Sequence, residues 1–465
     1  MRLSDDKRQK NQLQQVLALT LETRSEAPRI TGQGTESWPA KHETESPARG
    51  TERLMEEVCG RENCLRAIKQ VRANQGSPGA DGMTVQQLRG HLIEHWGSIR
   101  EQLLEGTYEP QPVLRVEIEK PDGGMRKLGI PEVVDRFLQQ AVLQVLQSRW
   151  DPTFSEHSYG FRPGRSAHQA VRQAQEYIAR GSRWVVDLDL EKFFDRVHHD
   201  RLMNAIAARV QDKRMLKLIR GFLTAGVMEN GLVSPVQEGT PQGGPLSPLL
   251  SNLVLDELDR ELKRRGHQFV RYADDCNIYV SSERAGQRVM AGVTRFLTEK
   301  LKLKVNQEKS AVARPWQRKF LGFSFTSHRL PKRRIAPKSR ARYEQKIRKL
   351  TRRTRGVSLA ELIREMGSYM RGWRSYFQFC ETPSVLKELQ SWTQRRIRAV
   401  VWQQWETGKN RFQQLRRLGL TVEQAAPTAG SQRGPWRIAN SLALTTALSP
   451  AYLASLGLPS LLGGN

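Results

Sequence analysis

Strict alternation opens the segment Arg183–Asp200: Val186, Leu188 and Leu190 fall on one side of an extended chain, Asp187 and Asp189 on the other. That period of two predicts a half-buried strand ending in a carboxylate. The same period runs through Tyr108–Arg136, with Val116, Ile118, Leu128 and Ile130 as its apolar positions, and breaks at Asp122-Gly123-Gly124. A strand, a tight turn and a second strand follow from it. Helical spacing then appears at Leu138, Val142, Leu143 and Leu146. Over Glu238–Leu262 a glycine-rich loop leads into a helix with a stripe of Leu246, Leu249, Leu250, Leu253 and Leu258. Two short apolar runs flank Asp274 and Asp275 in "RYADDCNIYV" (Arg271–Val280), which predicts a hairpin. An amphipathic helix through Val289, Val293, Phe296 and Leu297 follows, then a strand near Lys319–Phe325. Strands and helices alternate, but the hairpin excludes an all-parallel sheet, so the pattern predicts an α+β domain built on an antiparallel sheet.

After about Arg329 the strand pattern ends. Ser358 and Glu361 form a capping-box signature ahead of Leu362, Ile363, Met366 and Met370 at helical spacing. A basic helix is predicted before it and a tryptophan-bearing one after it, with Trp392, Trp402 and Trp405. Tryptophan suits amphipathic helix cores, and these, with Trp373, are expected in the core rather than stacked on bases. Residues 1–50 are polar, aperiodic and rich in Glu, Thr, Ser and Pro, and are expected to be disordered apart from a short helix near Leu13–Thr23.

Charge changes the picture. The 465 residues carry a formal net charge of +27, and residues 331–420 hold 23 Lys and Arg against 6 Asp and Glu, a surplus of 17. Such a density repels itself unless a polyanion compensates, and nucleic acid is the expected one. No stretch approaches the ~20 apolar residues of a membrane span, and no signal-peptide core opens the chain. A soluble cytoplasmic (bacterial) protein with no membrane partner is expected. Cys59, Cys64, Cys276 and Cys380 lack paired spacing, so neither a disulfide scaffold nor a four-cysteine zinc site is supported. His198 and His199 have no metal-spaced partners and read as structural or solvated.

A strand ending in Asp189 and a hairpin turn presenting Asp274 and Asp275 can gather three carboxylates on the open face of one sheet. Carboxylates are the hard ligands that Mg²⁺ prefers. Two Mg²⁺ can activate a 3′-hydroxyl and neutralise a leaving pyrophosphate, which is the chemistry of phosphoryl transfer.

The motifs around these residues resemble a known family, the bacterial group II intron-encoded reverse transcriptase/maturases. Tyr272-Ala273-Asp274-Asp275 is similar to the YxDD box of reverse transcriptases, and Asp189–Asp195 to their first aspartate motif. "GTPQGGPLSPLLSN" (Gly239–Asn252) resembles the nucleotide-pocket motif. Lys120–Pro131, Ser158–Ala170 and Gly76–Thr84 resemble further blocks of group II intron reverse transcriptases, and "GSYMRGWRSYF" (Gly367–Phe377) their maturase (thumb) signature. The resemblance covers roughly Thr51 to the C-terminus, with the blocks in the expected order.

The resemblance implies a right-hand polymerase. Its parts would be an N-terminal extension over 51–110, fingers and an antiparallel palm over 111–330, an α-helical maturase or thumb domain over 331–408, and a DNA-binding segment over 409–465. Asp189, the main-chain carbonyl of Leu190, and Asp274 would hold a two-metal Mg²⁺ site with Asp275 beside it. Lys120 and Arg126 would clamp the incoming triphosphate, Gln242 and Gly243 would contact the nucleotide, and Phe194 would select deoxynucleotides by crowding a 2′-hydroxyl. Asn306 and Lys309 resemble a later palm motif and are treated as supporting residues. Arg395, Arg396 and Arg398 are the candidates for phosphate contact. The implied partners are group II intron RNA, an RNA template with its primer, target DNA and dNTPs. The implied work is RNA-directed DNA synthesis together with assistance to splicing and target-primed retrohoming. Nothing past Cys380 supplies the cysteine pairs of the His-Asn-His nuclease domain found in many of these proteins, so independent second-strand cleavage is not expected. The rival readings are a splicing-only RNA-binding maturase, a domesticated reverse transcriptase of a defence or diversity-generating system, and an RNA-dependent RNA polymerase. The intact Asp189, Asp274 and Asp275 weigh against the first, the maturase-like segment against the second, and Phe194 against the third.

Overall fold

The computed structural model describes residues 50–119, 124–229, 232–234, 239, 243–352 and 354–462. They fall into two compact units, one ending at Arg314 and the next beginning at Pro315. The leader at residues 1–49, and with it the expected short helix near Leu13–Thr23, lies outside the described residues.

The first unit carries two four-stranded sheets. One is ordered β2-β1-β4-β5 and the other β6-β7-β3-β8. In the first sheet, β1 (Val113–Glu119) and β2 (Met125–Ile130) form the antiparallel hairpin that the alternation predicts. β1 then runs parallel to β4 (Val227–Glu229), which pairs antiparallel with β5 (Leu232–Ser234). The second sheet is wholly antiparallel: β3 (Trp184–Leu188) lies between β7 (Asp275–Val280) and β8 (Ala311–Ala313), and β6 (Gln268–Tyr272) closes the edge beyond β7.

Helices cover these sheets and share one hydrophobic core with them. On Ser247–Arg264 the predicted stripe is buried at Leu249, Leu250, Leu253 and Leu258. On Glu283–Glu299, Val293 and Leu297 face inward. Val133–Trp150 is buried over most of its length, which is why its sequence is apolar on more than one face.

The second unit is mostly helical, but the strand pattern does not end where the sequence suggests. β9 (Phe323–Phe325) pairs with β10 (Arg333–Ile335), and both belong to this unit. The strand pattern thus runs on to Ile335, beyond the limit near Arg329 that periodicity suggests. The three residues of β10 carry too little alternation to be read, and what makes them a strand is pairing with β9, the strand expected near Lys319–Phe325. Ser358 accepts a hydrogen bond from the Glu361 N–H and caps Leu359–Phe377 as expected. Trp373 and Trp402 are buried. Among the described residues no helix is long and apolar enough to cross a membrane.

Candidate active site

The register of the second sheet brings the first aspartates together. Leu188 is paired with Cys276 and Asp187 with Asn277. β3 ends at Leu188 opposite Cys276, so the chain leaves it at Asp189 beside the end of β7 that starts at Asp275. Tyr272 pairs with Asp275, so Ala273 and Asp274 are the two central residues of the hairpin turn. Ala273 takes a positive φ of 57°, a conformation that lets a two-residue turn follow the twist of its strands.

Asp189 is held by its main chain. Its N–H donates to Ser310 Oγ at 3.0 Å, and its carbonyl accepts from the Asn306 N–H at 2.8 Å. Lys309 Nζ lies 3.9 Å from Asp189 Oδ2. Leu190, next in sequence, bridges to Val305. The Asn306–Ser310 segment therefore supports Asp189 from below, and Ser310 is a contributor that sequence reading did not single out.

A second set of contacts holds the turn. Arg271 and Asp259 are fully buried, with a two-pronged ion pair of 2.7 and 2.6 Å. The same guanidinium donates to Asn252 Oδ1 at 3.0 Å and to the carbonyl of Ala273 at 2.9 Å. Asn252 Nδ2 donates to the Gly160 carbonyl at 2.8 Å. The main chain of Arg271 pairs with His157 and Tyr159 at 2.9 and 2.8 Å. Burial pushes the Asp259 carboxyl up, and the guanidinium against it opposes that shift. Burial also raises the Tyr272 hydroxyl and the Cys276 thiol, so both stay neutral beside the aspartates. The signal for Arg271 was present, since an arginine inside an apolar strand needs a buried partner, but nothing local names that partner.

Around this centre lie the nucleotide-pocket candidates. Gly243 has a φ of +136°, and a Cβ there would come within 2.5 Å of the Gly129 carbonyl on β2, so only glycine fits. The main chain of Gly239 receives and gives hydrogen bonds with His199 and Val197, and it packs against the main chain of Phe194 and Asp195. His199 is thus a buried structural residue, as expected. Phe193 and Phe194 stand on a short 3₁₀ turn, not on a strand with opposed faces. Phe193 is buried in the core at 2% exposure, whereas Phe194 is half-buried against it, with ring centroids 5.3 Å apart. Arg126 sits on β2 opposite Ile118. Lys120 and Gln242 lie outside the described residues.

The arginines expected to meet phosphate are engaged inside the second unit. Arg398 is buried at 5% exposure and donates to the carbonyls of Ala439 and Leu448, and burial lowers its pKa. Rather than the expected phosphate contact, it forms a staple between helix Pro383–Gln404 and the C-terminal segment. Arg395 donates to the Trp436 carbonyl and stacks on its ring at 4.1 Å, and Arg396 donates to Thr351. Arg395 thus meets a main-chain oxygen, and Arg396 meets both the hydroxyl and the carbonyl of Thr351.

Among the described residues no group of three or more His, Cys, Asp or Glu side chains is gathered closely enough to hold a metal ion. A site for Mg²⁺ needs none: that ion uses one or two carboxylates and completes its octahedron with water and substrate phosphate. Asp189, Asp274 and Asp275 carry carboxylate oxygens, the donor type that Mg²⁺ takes, and the Lys309 ammonium stands 3.9 Å from Asp189 Oδ2.

Residues 118–325 match the family model described as reverse transcriptase (RNA-dependent DNA polymerase), and residues 340–419 match that of the group II intron, maturase-specific domain. Protein YkfC of Escherichia coli (strain K12) is 33% identical over 329 residues, which cover 62% of this chain and 85% of YkfC. Group II intron-encoded protein LtrA of Lactococcus lactis subsp. cremoris is 31% identical over 329 residues, 57% of this chain and 55% of LtrA. A Schizosaccharomyces pombe protein described as an uncharacterized 91 kDa protein in cob intron is 32% identical over 212 residues, 46% of this chain and 26% of that protein. The chain thus spans about half the length of LtrA.

Proposed function

Because the chain belongs to the family of group II intron-encoded reverse transcriptases with a maturase-specific domain, we propose that its first unit copies RNA into DNA and its second holds intron RNA. The first unit is read as fingers and palm, the second as a thumb continuous with the C-terminal segment. The observation that supports the reading is the register of β3 on β7, in which Leu188 pairs with Cys276 and Tyr272 with Asp275, so the residue after Leu188 follows on beside the hairpin that carries Asp274 and Asp275.

In this reading Asp189, Asp274, Asp275 and the Leu190 carbonyl would hold two Mg²⁺. Bound there, the metal lowers the pKa of a primer 3′-hydroxyl and offsets charge on the departing pyrophosphate. The chain's own residues do the rest. Ser310 and Asn306 keep the Asp189 main chain fixed, so its carboxylate has little freedom to lose when substrate arrives. Lys120 and Arg126 bind the triphosphate, where the planar guanidinium of an arginine suits phosphate oxygens. Gly243, packed against the Gly129 carbonyl, and Gln242 before it contact the nucleotide. Phe194, backed by the buried Phe193, excludes a 2′-hydroxyl because a packed ring cannot retreat without strain. The +17 surplus over 331–420 draws the polyanion. Group II intron RNA, template and primer, target DNA and dNTPs are the partners, and assistance to splicing and retrohoming is the role.

The test is Mg²⁺-dependent primer extension on an RNA template. Changing Asp274 and Asp275 together to Ala should abolish extension while intron-RNA binding persists. Full-length cDNA from the double variant would refute the metal assignment.

A further inference from the structure

We propose that Arg271 is a positioning residue for the catalytic turn: its guanidinium, braced by Asp259 and Asn252, fixes the Ala273 carbonyl and so the placement of Asp274 and Asp275. The proposal rests on the reading that these two aspartates hold metal.

Three features distinguish this from an ordinary buried ion pair. The first is where the fourth contact goes. A guanidinium paired with a carboxylate needs no further acceptor for charge balance, yet Arg271 spends one N–H on the carbonyl of the residue immediately before Asp274, at 2.9 Å. The second is the geometry of the turn. Ala273 holds a positive φ of 57°, unfavourable for any residue with a Cβ, and persists there only if its surroundings impose it. The Arg271 contact to its carbonyl and the main chain of Gly160 against its nitrogen are what impose it. The third is reach. Asn252, which receives from Arg271 and donates to the Gly160 carbonyl, stands on helix Ser247–Arg264, which begins four residues after Gly243. Nucleotide loop, catalytic turn and the 157–162 loop are therefore bolted at one point. Displacing that bolt moves the metal ligands relative to the nucleotide pocket.

Lysine cannot substitute. It carries the charge but presents a single point of donation, so it can satisfy Asp259 and leave Ala273 unheld. Arg271→Lys and Asn252→Ala are accordingly the informative variants, the second leaving the ion pair intact. Mn²⁺ binding is read by electron paramagnetic resonance in a complex with RNA template, a dideoxy-terminated primer and dNTP, where no reaction occurs. Extension rate, its metal dependence, dNTP KM and thermal unfolding are measured alongside. We expect half-saturating Mn²⁺ to rise about fivefold or more in both variants. The extension rate should fall about tenfold to a hundredfold, as expected for a displacement near 1 Å, and partly recover at high metal. The dNTP KM should stay within about twofold.

A purely structural role predicts a lower melting temperature with unchanged Mn²⁺ affinity and metal dependence in the folded protein, and that result overturns the proposal. Should Arg271→Lys not fold, Asn252→Ala decides the matter by the same criterion. Failure of the underlying reading is distinguishable, because it would appear as activity in the Asp274 and Asp275 double variant whatever these two do.

Discussion

Replacing Gly160 with Ala should displace the catalytic turn by a predictable amount. A Cβ at this position would meet Ala273 N at 2.2 Å, Tyr272 C at 2.9 Å and Ala273 Cα at 3.1 Å. All three are main-chain atoms, so no side chain can swing away. Ordinary contact distance for such a pair is about 3.5 Å, so one or both segments must move by roughly 1 Å. They are tied together immediately before the clash by the Arg271 and Tyr159 N–H bonds of 2.9 and 2.8 Å, which opposes simple separation. Overpacking of this kind costs about 1–3 kcal/mol, which a domain of this size survives. A misplacement of about 1 Å at reacting groups costs on the order of 100-fold in rate. Gly160→Ala should therefore remain folded, bind template-primer normally and extend about 100-fold more slowly at saturating dNTP. Single-nucleotide primer extension under single-turnover conditions, with a thermal melt and an RNA-binding titration, measures all three. Gly90→Ala is the control: Gly90 is exposed on helix Leu88–Glu105 with nothing near its Cβ. It should extend at the normal rate and gain about 0.5–1 kcal/mol. A Gly160→Ala protein with wild-type rate and stability would show that the turn is not held where the structure has it, and the argument would fall.

Phe194→Val should raise rNTP incorporation relative to dNTP by about tenfold or more, whereas Phe193→Val should cost about 2 kcal/mol or more of stability through a core cavity without relaxing the sugar choice. Relaxation in Phe193→Val alone would overturn the assignment of the gate to the half-buried ring. Arg398→Ala should lower the melting temperature of the second unit, because its hydrogen bonds to Ala439 and Leu448 are lost, and leave the salt dependence of RNA affinity unchanged. The exposed Lys349 and Arg352 should behave oppositely: removing both should flatten the log–log salt slope by about 1.5. A flattened slope for Arg398→Ala would restore it to the phosphate-contacting set.

Much of the molecule was determined locally and could be read locally. The alternation at Val186, Leu188 and Leu190 made β3 a strand with Asp189 at its end, since a period of two belongs to one backbone conformation. The two apolar runs around Asp274 and Asp275 made a hairpin for the same reason, and the surplus of cations over 331–420 named a polyanion without any fold. What tertiary structure alone decided was the direction in which ambiguous side chains face. Arg398 and its neighbours Arg395 and Arg396 are alike in sequence, but the acceptors of Arg398 lie 41 and 50 residues away, and their arrival turns a phosphate candidate into a buried staple. Phe193 and Phe194 are chemically identical, and a 3₁₀ turn rather than strand alternation set which one fills the core. Arg271 stood at the head of the segment that carries the aspartates, yet its role depends on Asp259, 12 residues back, and Asn252, 19 residues back. A buried charge is stable only where partners converge on it, and convergence is a property of the packed chain, not of any window along it.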